Sequence, residues 1–150
     1  MRFSLTTIIA LFLLIPLAQA ADGLVTKKSS HSVSVTADRF AAALKEKGIT
    51  LVARVNHAAA AKKAGMELRP TELLIFGNPK LGTPLMQSNQ TAGIDLPLKA
   101  LVWQDAKGEV WIGYVSPEAI VARHGINDRA EVVKKMTGAL EGLSSGAAKP

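Results

Sequence analysis

The sequence predicts an α+β fold with a mainly antiparallel sheet and short helices packed on one of its faces. Short β-rich runs alternate with short helical patterns, but without the strict strand and helix alternation of a parallel sheet. Residues 105–108 have the composition of a hairpin turn between predicted strands at 98–104 and 109–115. Apolar residues near the C-terminus recur at helical spacing, which indicates an amphipathic last helix.

The first half of the chain predicts two strands, each followed by a helix. Residues 31–35 alternate polar and apolar side chains, as a half-buried strand does, and Thr36 can cap a helix after it. Residues 49–55 are β-rich and predict the second strand. Asn56 then stands where a cap is needed before the alanine-rich helix predicted over residues 58–64.

The second half begins with an apolar run, residues 73–76, that predicts a buried strand. Because proline is poorly tolerated deep in a helix, we expect a turn over residues 78–82 and then a separate helix capped by Thr83, with Pro84 in its first turn.

Two further helix starts are predicted nearer the C-terminus. Ser116 precedes a proline and can cap one helix, and Asp128 with Glu131 forms a capping box for the last one.

The N-terminus has the pattern of an export signal. Arg2 precedes an apolar run over residues 8–17, and Ala18-Gln19-Ala20 matches the small-residue cleavage pattern. The run is shorter than the roughly 20 residues that a membrane-spanning helix needs. We therefore expect residues 1–20 to be a signal peptide cleaved after Ala20, a periplasmic or secreted protein, and no transmembrane segment after cleavage.

Removing 20 of the 150 residues leaves 130, which is enough for one domain with its own core. The small and polar ends predict a flexible N-terminal segment over residues 21–30 and a flexible tail over 144–150, on either side of a single α+β domain over residues 31–143. The chain has no cysteine, which excludes disulfides and thiolate chemistry.

The formal net charge is +6, but the basic residues are scattered and partly alternate with acidic ones. Aromatic residues make up only 5% of the chain, whereas proteins that bind nucleic acid interleave aromatics with concentrated positive charge. The charge therefore indicates solvated helix faces, and we expect no nucleic-acid partner.

The central region carries a series of short motifs: Asn56-His57-Ala58-Ala59, Leu68-Arg69-Pro70-Thr71, Phe76-Gly77-Asn78-Pro79-Lys80, Gly82-Thr83-Pro84-Leu85-Met86 and Asp95-Leu96-Pro97-Leu98-Lys99. In this order they resemble the family called domain of unknown function 302, over about residues 33–126. The resemblance implies a compact α+β domain that is often exported in bacteria and pairs as a homodimer. It implies no established activity. At Asn56 the family more often has aspartate, so an acidic group is missing here.

The segment after the predicted buried strand is the first candidate for a binding site, formed by Gly77, Asn78, Lys80, Gly82 and Thr83. Glycines let a backbone approach a ligand, a helix start offers N–H groups, and the lysine adds positive charge, which together suit a phosphate, sulfate or carboxylate. The segment lacks the ending of a nucleotide-binding P-loop. The simpler interpretation, which the residues favour, is that the asparagine only caps a helix.

Asp95 is the second candidate, because it is a charged residue between Ile94 and Leu96. Burial would raise its pKa and suit it to act as a general base, with His57 or Lys80 as its acid–base partner in a hydrolase-like or isomerase-like enzyme. The alternative is an aspartate that holds the turn before the next proline. No nucleophile motif accompanies it, so the sequence favours a protein that is not an enzyme.

The three histidines, His31, His57 and His124, are far apart and match no metal-binding motif. We expect no metal and no cofactor, and His57 is the residue to consider first if a metal is bound.

The sequence thus predicts an exported small-ligand-binding or accessory module that acts as a homodimer, with a small anionic or apolar ligand near residues 77–83 and Asp95. Two alternatives remain open. One is the enzyme that uses Asp95, and the other is a protein–protein interaction module that uses the last helix or the hairpin with Trp103 and Trp111.

Overall fold

The computed structural model describes residues 23–150, which form one five-stranded sheet in the order β1-β5-β4-β3-β2 with helices. All neighbouring strands are antiparallel, which confirms the predicted α+β class. The strands are β1 (Leu24–Ser29), β2 (Thr50–Asn56), β3 (Thr71–Gly77), β4 (Leu98–Gln104) and β5 (Val110–Val115). The helices are α1 (Val33–Glu46), α2 (His57–Lys63), α3 (Pro79–Ser88), α4 (Pro117–Arg123) and α5 (Ala130–Ala148), with a 3-10 turn over Gln90–Ile94.

The main core lies between the sheet and helices α1 and α5. Alternate residues of β3 are buried, and Phe76 among them meets Phe40 of α1 edge to face, with ring centroids 5.2 Å apart. Leu140 and Leu143 of α5 complete this core. A smaller cluster forms beyond the sheet end, where α3, α5 and the 3-10 turn meet.

The opposite face of the sheet, called the open face below, is also apolar. Its largest apolar side chains are half-buried, and none of them belongs to the two core clusters that residues 23–150 form, whereas Lys28 and Lys99 on the same face are exposed. The strand register places them in rows across the sheet. The largest are Leu73, Ile75, Leu101, Trp103 and Trp111.

The strand predicted over residues 31–35 is wrong, because α1 already begins at Val33. Ser32 is its cap and accepts a hydrogen bond from the Val35 N–H at 3.3 Å. Thr36, predicted as the cap, is buried inside the helix, with Oγ1 2.7 Å from Ser29 Oγ. The alternation is local, whereas burial follows helical spacing: Val33, Thr36, Ala37, Phe40 and Leu44 all face the core.

The flexible segment predicted over residues 21–30 is also wrong for its described part. Residues 24–29 form β1, which pairs along its whole length with β5, because this edge of the sheet offers a partner strand. The predicted signal peptide over residues 1–20 lies outside the described residues.

The tail predicted over residues 144–150 is helical as far as Ala148. Its small side chains, which suggest flexibility in the sequence, allow close packing instead: Ser144, Ala147 and Ala148 are buried. The Ser30 N–H donates to the Ala148 carbonyl at 2.9 Å, and Arg39 donates to the Gly146 carbonyl at 3.0 Å. These contacts fix the end of α5.

Two further predicted helix starts are wrong. The turn over residues 78–82 and the separate helix capped by Thr83 are one helix, α3, which starts at Pro79 and contains Pro84. Pro84 has no N–H to donate to the carbonyl of Lys80, an exposed residue in the first turn of α3. Asp128 does not cap α5, which begins at Ala130; its carboxylate instead accepts a hydrogen bond from Ser88 Oγ at 2.9 Å.

Other local predictions are confirmed. Asn56 caps α2 through its side chain, Ser116 caps α4, and Trp103 lies opposite Trp111 in the predicted hairpin. Within residues 23–150, no helix is both long enough and apolar enough to cross a bilayer.

Candidate functional site

A cavity of about 560 Å³ lies where the ends of β2 and β3 meet α3, α5 and the segment before β4. Apolar side chains form most of its wall. Helix α5 supplies Met136, Leu140 and Leu143, and the opposite side is formed by Leu81 and Met86 of α3 together with residues 96–98.

The segment before β4 approaches the start of α3 closely at Gly77. A Cβ atom at Gly77 would lie 3.3 Å from Pro97 Cβ, and one at Gly82 would lie 3.6 Å from Leu96 Cδ1. The first distance is shorter than an ordinary contact, so the missing side chain of Gly77 lets Pro97 pack there, whereas the second distance is an ordinary van der Waals contact. Of the two glycines that the sequence singles out, Gly77 therefore shapes the cavity wall and Gly82 lines it.

The structure brings Gly77, Asn78, Gly82 and Thr83 together in the lining of this cavity. Lys80 is exposed on the first turn of α3 and does not line it, and neither does Asp95. Four of the six residues predicted to bind a ligand thus share one site, which is apolar rather than positively charged.

The start of α3 has no donors to spare for an anion. Pro79 has no N–H, and the Lys80 N–H donates to Asn78 Oδ1 at 2.9 Å. The N–H groups of Leu81 and Gly82 donate to the Asn78 carbonyl at 2.9 Å and 3.0 Å. Capping alone accounts for these groups, which disfavours an anion site and leaves the apolar ligand as the alternative.

Asp95 forms a separate polar cluster. Its carboxylate accepts hydrogen bonds from Arg123 at 2.8 Å and 3.0 Å and from His124 Nε2 at 2.8 Å. Partial burial raises the pKa of Asp95, but the bonds and charges of His124 and Arg123 outweigh it, so the pKa lies below its ordinary value. A carboxylate held ionised in this way is a poor general base.

The predicted partners of Asp95 lie elsewhere. His57 follows Asn56, which pairs with Glu72 at one end of the sheet, whereas Asp95 precedes Leu98, which pairs with Phe76 at the other end. Along β3, Glu72 and Phe76 alone are separated by about 14 Å. His57 is therefore too far from Asp95 to act with it, and among residues 23–150 the ion-pair partners of Asp95 are Arg123 and His124 and not the predicted Lys80. The same residues contain no cluster of three side chains suited to a metal ion.

Sequence reasoning missed the other half of the cavity wall. Residues such as Ile49, Met136 and Leu140 follow the same apolar spacing as ordinary core residues, so nothing in the sequence marks them as lining a cavity. It also missed Arg123 and His124, because a contact across 28 residues leaves no local pattern.

The chain matches one family model, and it is similar to curated protein sequences and to a solved structure. Residues 25–143 match the family model "Domain of unknown function DUF302". The chain is 47% identical over 121 residues to "Fluoride-specific ion channel FluC 1" of Brucella suis biovar 1, covering 80% of this chain and 48% of the relative. It is equally similar to "Fluoride-specific ion channel FluC 2" of Brucella melitensis biotype 1 and covers 45% of that protein. The chain thus spans about half the length of the curated relatives it matches.

The fold is also similar to a crystal structure of an uncharacterized conserved DUF302 protein from Bacillus stearothermophilus. The TM-score is 0.73 at 23% identity, over 85% of this chain and 99% of that one. The likeness shows a shared fold.

Proposed function

The chain belongs to the DUF302 family, and we propose that it is a binding module whose cavity between α3, α5 and the end of the sheet holds a small apolar molecule. The cavity carries this proposal. Its volume of about 560 Å³ lies within the range of roughly 300–1,000 Å³ that is typical of small-molecule sites, and an apolar wall with a few polar groups is their usual composition.

Binding accounts for the site better than catalysis does. The lining contains no carboxylate, histidine or lysine that could move a proton, and Asp95 is already engaged by Arg123 and His124 outside it. We therefore propose no enzymatic activity.

We propose that the module is exported and acts as an accessory to other proteins. The signal pattern over residues 1–20 supports export. The relatives named as fluoride-specific ion channels match this chain over about half of their length, so a closely similar segment occurs joined to another one. Such an arrangement supports an accessory role.

We propose that two copies pair through the open face. Five strands about 4.8 Å apart and six residues of about 3.3 Å each give a face of roughly 480 Å². Two such faces reach about 1,000 Å², the lower limit for a specific interface. Both lysines on this face are drawn to its margins: Lys28 pairs with Glu109, and Lys99 donates to the carbonyls of Asp95 and Pro97. The centre is left apolar.

Native mass spectrometry of the gently purified protein tests both parts of the proposal. We expect a dimer that carries an additional small mass. An Ile75→Lys variant, with its fold checked by circular dichroism, should be monomeric because two charges would be buried at the paired faces. A dimer that persists in this variant would place the interface elsewhere.

A fluorescent apolar probe, 1-N-phenylnaphthylamine, tests the cavity itself. Ala139 lines the cavity, whereas a Cβ atom at the adjacent Gly138 meets nothing within 4 Å. We expect Ala139→Trp to fill the cavity and weaken probe binding at least tenfold, and Gly138→Trp, the matched control, to leave it unchanged. Equal binding by both variants, or no binding by the unmodified protein, would contradict the proposed function.

A further inference from the structure

The polar groups of the cavity are neutral. Its lining contains no Asp, Glu, Lys, Arg or His, and its polar side chains are Thr50, Asn78 and Thr83. A charged group placed among the apolar side chains of α3 and α5 would lose hydration without gaining a partner of opposite charge. The cavity is therefore complementary to an uncharged molecule.

Asn78 has one hydrogen-bonding group left for a ligand. Its Oδ1 accepts a hydrogen bond from the Lys80 N–H, and its backbone carbonyl accepts from the N–H groups of Leu81 and Gly82. Both oxygens are therefore used in capping the helix. Among the hydrogen bonds within residues 23–150, none uses its amide Nδ2. Asn78 is a half-buried residue of the cavity lining, and its unused amide nitrogen is a donor suited to a carbonyl, hydroxyl or ether oxygen.

The rim offers two further neutral groups. Thr50 at the start of β2 and Thr83 on α3 are both exposed, and each hydroxyl can donate or accept. The apolar wall of Met136, Leu140 and Leu143 lies deeper, along α5. The site thus has a polar, neutral rim and an apolar interior.

We propose that the ligand is an uncharged amphiphile, with an apolar body between α3 and α5 and one neutral oxygen function that accepts a hydrogen bond from Asn78 Nδ2. This inference rests on the proposed function, since it names the class of molecule that the cavity holds. It replaces the anion suggested by the sequence, because the N–H groups that would bind an anion are paired within the helix.

Three probes of equal chain length test the class of ligand. Dodecanol, dodecanoate and dodecylammonium, each below its aggregation concentration at pH 8, compete with 1-N-phenylnaphthylamine for the purified protein. We expect dodecanol to displace the dye at a concentration at least tenfold lower than either ion does. If dodecanoate or dodecylammonium displaces it equally well, this inference fails and the proposed function stands. If the dye itself does not bind, both fail.

A single substitution tests the role of Asn78. Asn78→Asp keeps an oxygen that can cap α3 but replaces the Nδ2 donor with a second acceptor. We expect dodecanol to bind about tenfold more weakly while the thermal midpoint changes little. Lys80→Ala, at an exposed side chain that does not line the cavity, should change neither. Unchanged dodecanol binding by Asn78→Asp would overturn the proposal. Dye binding that appears only on dilution to the monomer would also overturn it, because that result would mean that a second copy fills the cavity in the dimer.

Discussion

Asp95 Oδ2 lies 2.8 Å from His124 Nε2, and this contact joins the segment before β4 to the end of α4. Arg123 donates to both oxygens of the same carboxylate. Residues 96–98, which follow Asp95 directly, line the cavity. The contact therefore holds both a helix end and part of the cavity wall in place.

Replacing Asp95 by alanine should destabilise the fold. The side chain of His124 is only 7% exposed, so its Nε2 would lose its partner in a site that water reaches poorly, while Nδ1 keeps its hydrogen bond with Thr91 Oγ1. We expect the free energy of unfolding to fall by about 2 kcal/mol, as for other lost hydrogen bonds to charged groups. Urea denaturation measures it. Asp128→Ala, which removes a more exposed carboxylate, is the control and should cost less than about 0.5 kcal/mol.

Asp95 should also contribute to acid unfolding. Its pKa is lower in the folded protein than the value of about 4 of an unfolded chain, so its contribution is fully present above pH 4. That contribution is lost as the pH falls below 4 and through the lower, folded pKa. We expect the stability of Asp95→Asn to depend less steeply on pH than that of the unmodified protein between pH 4 and pH 2. Parallel stability curves would contradict the assignment.

A side chain at Gly113 should be destabilising, because the ring of Trp103 lies over it on the open face. A Cβ atom there would lie 3.1 Å from the Trp103 ring and 3.1 Å from the Val25 carbonyl oxygen. Overpacking of this kind costs about 1–3 kcal/mol, and we expect Gly113→Ala to lose that much stability in urea denaturation. Adding Trp103→Leu should recover part of the loss, since the smaller side chain can move away. A fully additive double mutant would show that the ring is not the obstacle.

The sequence predicts the parts of this fold that depend on hydrogen bonds between residues close together in the chain. Asn56, Ser116 and residues 105–108 act through their own backbone neighbours, and each lies where their residue types indicate. The helix at residues 33–36 is different. The polar and apolar alternation of these residues fits a strand equally well, and packing against the core of the sheet favours the helix.

The candidate site likewise has one part that neighbouring residues in the sequence predict and another part that they do not. Gly77 and Asn78 stand out in the sequence because a strand end and a helix start need unusual residues there. The cavity beside them also needs α5, whose Leu140 comes from a distant part of the chain and resembles any core leucine. The chemical character of the site, apolar instead of anionic, depends on that distant wall and could not be predicted locally.

The last turns of α5 should be essential to stability, although their small residues suggest a flexible tail. A chain that ends at Leu143 loses the buried Ala147 and Ala148, together with the carbonyl that accepts from the Ser30 N–H. The lost burial and hydrogen bonds amount to about 2–4 kcal/mol, which thermal and urea unfolding would detect. Deleting only Pro150, which is exposed, is the control and should leave the midpoint unchanged. If both deletions behave alike, the end of α5 adds nothing to the fold. If only the longer one is destabilising, residues 144–148 belong to the core, and the boundary of the domain lies beyond residue 143.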